Sequence, residues 1–138
     1  MSNRILIVDD DEAAIDLLSA QLASVSEDIR GLTVSAKVVA TFENYEPDLV
    51  LVDIHMPKPD GFEVLRLLRE PRERRGYVPV IMLTADTSVA VRTRALGLGA
   101  NDFLAKPFDR WDAILRARNL LQTRHLFQQL MQSRGRRV

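Results

Sequence analysis

The chain of 138 residues contains no cysteine, which removes disulfide frameworks and thiolate metal sites and fits a reducing compartment. Long apolar runs are missing as well. The opening "MSNRILIV" holds too short an apolar stretch for a signal peptide, and nothing approaches the roughly 18 apolar residues of a membrane span. These absences lead us to expect a soluble, cytoplasmic protein. An excess of charge of either sign is lacking too, because 19 Lys+Arg stand against 19 Asp+Glu. No global field therefore draws the chain to nucleic acid or an anionic membrane. Only the ending "SRGRRV" is locally basic, and a short basic tail reads first as a solvated end. What is present suffices for one domain: a chain of about 150 residues buries roughly 70% of its unfolded surface without staples.

Three apolar runs, Ile5 to Val8, Leu49 to Val52 and Val78 to Leu83, lack polar alternation, as expected of strands buried on both faces of a parallel sheet. A fourth stretch, "LTVSAKV" from Leu32 to Val38, alternates and predicts a strand with one wet face. "DFLAK", Asp102 to Lys106, is a shorter candidate. Helical spacing joins Ala14, Ile15, Leu17, Leu18, Leu22 and Val25, then Phe62, Val64, Leu65 and Leu68, then Val89, Val91, Ala95 and Leu96. Gly97 and Gly99 are stops for the last of these, and Asp109 is a candidate N-cap for a final helix. Only "VATFENYEPD" separates the second and third strands, so the helix there is short or irregular. No internal repeat or low-complexity linker is visible. The order is strand then helix, about five times, which predicts an α/β fold with a parallel sheet, helices on both faces and right-handed crossovers.

The polar residues at strand ends carry the chemistry. Asp9 and Asp10 follow the first strand, Asp53 the third, Thr84 the fourth, and Lys106 ends the fifth. In an open parallel sheet these ends share one edge, where ligands bind. Each has a bland reading: "DDDE" can favour a helix dipole, Asp53 can serve a turn, Thr84 a cap, and Lys106 the surface. All being bland on one edge is the weaker explanation. Two carboxylates about 4 Å apart repel by roughly 4 kcal/mol at an effective dielectric near 20, so a cation must offset them. With no cysteine and only His55 and His125 as histidines, oxygen ligands select a hard ion such as Mg²⁺. A carboxylate beside a divalent cation, an ammonium and a hydroxyl is equipped to accept a phosphoryl group in line.

From Arg4 to about Leu121, "ILIVDDDE", "PDLVLVDIHMPKPDGFEVL", "PVIMLTA" and "GANDFLAKPF" follow one another in register, and together they resemble the receiver domain of two-component response regulators. The resemblance implies a doubly wound (βα)5 flavodoxin-like sandwich with sheet order 2-1-3-4-5. It implies that Asp53 is the phosphoacceptor, supplied by the phosphohistidine of a sensor histidine kinase or phosphotransfer protein. Asp10, Asp53 and the backbone carbonyl of His55 would bind Mg²⁺, and Asp9 one of its waters. Lys106 would pair with Asp53 and later with a phosphate oxygen, its bond to Pro107 being cis. Thr84 would bond the phosphoryl oxygen, the small Ala85 would leave room for it, and Phe103 would rotate inward as the coupled switch aromatic. His55 and Asp86, two residues after the acceptor and the hydroxyl, would tune hydrolysis of the acyl phosphate. Asp11 has no metal role in this mapping and is assigned to capping the first helix.

The resemblance gives a receiver domain over 1–121 and a helical extension or linker with a basic tail over 122–138. Ala113, Ala117, Leu120, Phe127 and Met131 fall near heptad spacing, interrupted by Arg124, too briefly to establish a coiled coil. A homodimer through the helix 4, strand 5, helix 5 face or through the final helix, and a fused output domain, remain open. Two rivals are weighed. An aspartate-nucleophile hydrolase of the haloacid dehalogenase type wants a threonine where this chain has Ala13. A receiver-like module that is never phosphorylated is disfavoured by the intact Asp10, Asp53, Thr84 and Lys106.

Overall fold

The computed structural model describes residues 3–70 and 77–136. The end of the basic tail, residues 137–138, lies outside them. Five strands, β1 (Arg4–Val8), β2 (Asp28–Leu32), β3 (Leu49–Asp53), β4 (Val80–Thr84) and β5 (Asp102–Ala105), form one parallel sheet in the order β2-β1-β3-β4-β5. Helices α1 (Glu12–Gln21), α2 (Val38–Tyr45), α3 (Gly61–Arg69), α4 (Val89–Gly97) and α5 (Arg110–Arg136) connect or follow the strands.

The apolar runs lack alternation because each strand is buried twice. Leu6 and Val8 of β1, Val50 and Val52 of β3, and Val80 and Met82 of β4 enter one core with Val38, Phe42, Phe62, Leu65 and Ala95 of α2, α3 and α4. Their neighbours Ile5, Ile7, Leu49, Leu51, Ile81 and Leu83 enter a second core with Ile15 and Leu18 of α1 and Ala113, Ala117 and Leu121 of α5. Burying a Val, Leu, Ile, Phe or Met side chain contributes about 1.5–3 kcal/mol, so β1, β3 and β4, apolar on both faces, are the most firmly packed of the strands.

The second strand corrects the pattern reading. The sheet uses Asp28–Leu32, and the alternating stretch after Leu32 instead forms a 3-10 turn at Ser35–Lys37 that leads into α2 at Val38. β2 is an edge strand, paired among the described residues with β1 alone, so it needs few apolar residues, and Ile29 and Leu32 suffice to pack it. Ser35, read as the wet face of a strand, is buried and donates its hydroxyl to the carbonyl of Pro59 at 2.8 Å. The helix read as short is the eight-residue α2, closed by Glu46 in the left-handed region at φ 54° just before Pro47.

Helix starts follow the capping residues. Asp11, Asp60, Ser88 and Asp109 each accept a backbone N–H from the first turn of α1, α3, α4 and α5. α4 ends as expected, with Gly99 at φ 104°, a conformation that favours glycine. Its buried face is smaller than its spacing suggested: Ala95 is enclosed, whereas Val89 and Leu96 are exposed.

α5 runs unbroken past Leu121. Arg124, which interrupts the heptad pattern, is buried: its Nε donates to Asp48 Oδ1 at 2.8 Å and its Nη1 to the carbonyl of Tyr77 at 2.6 Å. Phe127 packs on Tyr77 with ring centroids 5.7 Å apart, and His125 Nε2 lies 2.9 Å from Asn3 Oδ1. These contacts seat the helix on the edge of the sheet where the strands begin, opposite the carboxylates.

Candidate functional site

The parallel arrangement brings the ends of β1, β3, β4 and β5 to one edge, and the side chains there are those picked out in the sequence. Asp9 is fully buried directly after β1. Its Oδ1 accepts the N–H of Asp11 at 3.0 Å, and its Oδ2 accepts the Lys106 ammonium at 3.0 Å. Asp53, the last residue of β3, is 4% exposed, and its Oδ1 lies 3.3 Å from the same ammonium. Asp10 is exposed beside them, and one oxygen from each of Asp9, Asp10 and Asp53 falls within 4.8 Å of the others.

Electrostatics follows from this crowding. Burial, then the charge of Asp9, pushes the Asp53 carboxyl above the usual carboxylate range, against the opposing pull of Lys106 and the backbone N–H of His55. Burial works against the Lys106 ammonium, but its hydrogen bond to Asp9 and the two carboxylate charges outweigh it, so its pKa is raised. One ammonium thus neutralises part of a three-carboxylate cluster. The donor set is all oxygen and retains net negative charge, which suits a hard divalent ion.

The backbone around Asp53 is closely packed. Gly61 donates its N–H to the carbonyl of Ile54 at 3.0 Å, and a Cβ at Gly61 would fall 2.4 Å from the Asp53 carbonyl oxygen and 2.5 Å from Ile54 Cα. Only glycine lets α3 start this close to the end of β3. That requirement is invisible in composition; the "DG" pair hints at a turn but not at the contact. The Lys106–Pro107 peptide is cis, and so is Lys58–Pro59 in the loop before α3, which the sequence reading did not anticipate.

Thr84 is at the end of β4 and 1% exposed, but its hydroxyl is occupied within its own turn. Oγ1 donates to the Asp86 carbonyl and accepts the Asp86 N–H, both at 2.9 Å. Its carbonyl accepts the N–H of Lys106 at 2.9 Å, which links β4 to the lysine. Ala85, Asp86 and His55 are exposed, and the Ser88 N–H, then its hydroxyl, holds the Asp86 carboxyl below its ordinary range. Phe103 of β5, paired in register with Met82, is partly buried against the core under α4.

A groove of about 410 Å³ opens beside the cluster, lined by Asp10, His55, Met56, Asp60, Phe62 and Arg94 among others. Arg94 was not singled out in the sequence; its guanidinium carbon lies 4.0 Å from the centroid of the Phe62 ring.

The family model described as response regulator receiver domain matches residues 5–118. The DNA-binding dual master transcriptional regulator RpaA of Synechocystis sp. is 40% identical over 86% of this chain and 49% of its own length. Response regulator PleD of Caulobacter vibrioides is 36% identical over 100% of this chain and 31% of its own. The chain therefore spans half or less of these curated relatives. Among solved structures, a response regulator from Chloroflexus aurantiacus superposes with a TM-score of 0.81 at 28% identity, covering 88% of this chain and 99% of that one.

Proposed function

The chain belongs to the response regulator receiver domain family, and from that premise we propose that Asp53 accepts a phosphoryl group from the phosphohistidine of a sensor kinase or phosphotransfer protein. The observation that carries this reading is the Lys106 ammonium set between two buried carboxylates, 3.0 Å from Asp9 and 3.3 Å from Asp53, with Asp10 exposed beside them. Asp10, Asp53 and the carbonyl of His55 would hold Mg²⁺, with Asp9 on one of its waters, and the ion would supply positive charge to the phosphoryl oxygens.

The chain's own residues do the rest. A carboxylate oxygen of Asp53 attacks phosphorus, a P–O bond forms as the P–N bond to the donor imidazole breaks, and the imidazole leaves with that electron pair. Lys106, already charged and already beside Asp53, loses one of its two carboxylate partners to phosphorylation and gains a phosphoryl oxygen. Thr84 must release the Asp86 backbone before its hydroxyl can reach the phosphoryl group. That exchange is the switch: rotation of Thr84 opens space for Phe103, and the face formed by α4, β5 and α5 changes its contacts. Ala85 keeps the entry free of bulk, and His55 and Asp86 flank the path of a hydrolytic water.

The only reaction so assigned is phosphorylation and dephosphorylation of the chain itself. Its output would be a partner, a second copy or a fused domain. The exposed Leu126, Leu130 and Met131 on the last turns of α5 support an extension that packs onto such a partner.

The test is incubation with Mg²⁺ and acetyl phosphate followed by intact-mass measurement. The reading expects one hydroxylamine-labile phosphoryl group, absent in Asp53→Asn. No adduct on the native chain would instead support the module that is never phosphorylated.

A further inference from the structure

The phosphorylation groove has an electrostatic difficulty. A phosphodonor is an anion, and Asp9, Asp10, Asp53 and Asp60 all lie at or beside the groove it must enter. Lys106 is committed to two of these carboxylates, and Arg66, which lines the adjoining cleft, is paired with Glu70 at 2.7 Å. Among the residues lining the groove, Arg94 is the one permanent cation.

Arg94 is also placed to act. It is exposed on α4, and among the described residues it forms an ion pair with no carboxylate; its guanidinium carbon lies over the face of Phe62, 4.0 Å from the ring centroid. A guanidinium stacked on a ring keeps its N–H donors, which lie in its own plane, available for an anion. The ring beneath it is itself fixed, since Phe62 is 8% exposed and follows Gly61, where even a Cβ would fall 2.4 Å from the Asp53 carbonyl oxygen. Arg94 thus rests on a fixed ring at the rim of the groove that Asp10 and His55 also line.

Resting on the proposed role of Asp53, we propose that Arg94 is a specificity-determining residue for phosphoryl transfer. Its guanidinium receives anionic oxygens of the incoming donor at the rim of the groove and favours donors of higher negative charge. With acetyl phosphate, Asp53 attacks phosphorus, the P–O bond to the acetyl oxygen breaks, and acetate leaves with the electron pair; Arg94 acts on capture of the dianion, not on these bonds.

The test compares the full chain with Arg94→Gln and Arg94→Lys, all at saturating Mg²⁺, by timed quench and intact mass. Acetyl phosphate serves as the dianionic donor and phosphoramidate as the less charged one. Arg94→Gln is expected to slow acetyl phosphate by on the order of tenfold and phosphoramidate clearly less, and to flatten the loss of rate with added salt. Arg94→Lys, which keeps the charge but not the stacked fork, is expected to recover part of the rate and of its salt dependence. Equal rates in all three proteins, an equal loss with both donors, or a loss that lysine does not rescue would each overturn the role and leave Arg94 as a packing residue. If the native chain accepts phosphate from neither donor, the reading of Asp53 falls and this inference with it, a failure visible before any variant is compared.

Discussion

Asp53 bears an electrostatic cost in the metal-free protein. Its carboxyl is raised by burial and by Asp9, so the ionised form is disfavoured by the fold. A carboxyl whose folded pKa lies above its unfolded value adds stability at low pH and loses it as pH rises through the folded pKa. Metal-free Asp53→Asn is therefore expected to melt a few degrees above the native chain at neutral pH, with the gap closing as pH falls into the range where Asp53 takes up its proton. Added Mg²⁺ should raise the melting temperature of the native chain and not that of Asp53→Asn. Gly61 makes the complementary case. A methyl group there meets backbone, not a flexible side chain, at 2.4 and 2.5 Å. Gly61→Ala is expected to cost about 1–3 kcal/mol in urea unfolding and, by displacing Asp53, to slow phosphorylation. Asp9, Asp53 and Lys106 were legible in the sequence because strand ends converge on one edge. Gly61 and Arg94 were not, since each matters through a contact between elements that spacing along the chain does not encode.

Helices and strands were legible in proportion to how fully they are buried. β1, β3 and β4 declare themselves because both faces are apolar, whereas β2, an edge strand with the sequence Asp28-Ile29-Arg30-Gly31-Leu32, offers almost no pattern. The alternation just after it belongs to a 3-10 turn and the start of α2, where Ser35 is buried to meet the Pro59 carbonyl. α5 teaches the same lesson. Arg124 reads as a break in an apolar stripe but is 8% exposed and anchors the helix to Asp48 and Tyr77. Removing it would strand a partly buried carboxylate and a carbonyl, so Arg124→Ala is expected to lose about 2–3 kcal/mol. Hydrogen exchange should locate the effect: amides of α5 beyond Leu121 lose protection while β1, β3 and β4 keep theirs. Unchanged protection there would mean that Phe127 and His125 hold the extension without Arg124.

Across the whole molecule, two cores on either side of one sheet make a rigid support, and the parts free to respond are at its margins. β1, β3 and β4 hold Asp9, Asp53 and Thr84 in place through side chains buried on both faces. α4 buries little beyond Ala95, and among the described residues the Thr84 hydroxyl is engaged with the Asp86 backbone alone. The response to phosphorylation is therefore expected on the α4 side, while the α5 seat at Asp48 and Tyr77 stays fixed. The central claim is that one carboxylate, Asp53, takes the phosphoryl group, and its most direct test is chemical mapping of the site. After treatment with acetyl phosphate and Mg²⁺, borohydride reduces an aspartyl phosphate to homoserine, which peptide mass spectrometry locates. The account predicts homoserine at position 53, dependent on both donor and Mg²⁺. Homoserine at another aspartate, or at none while the native chain remains folded, would contradict it.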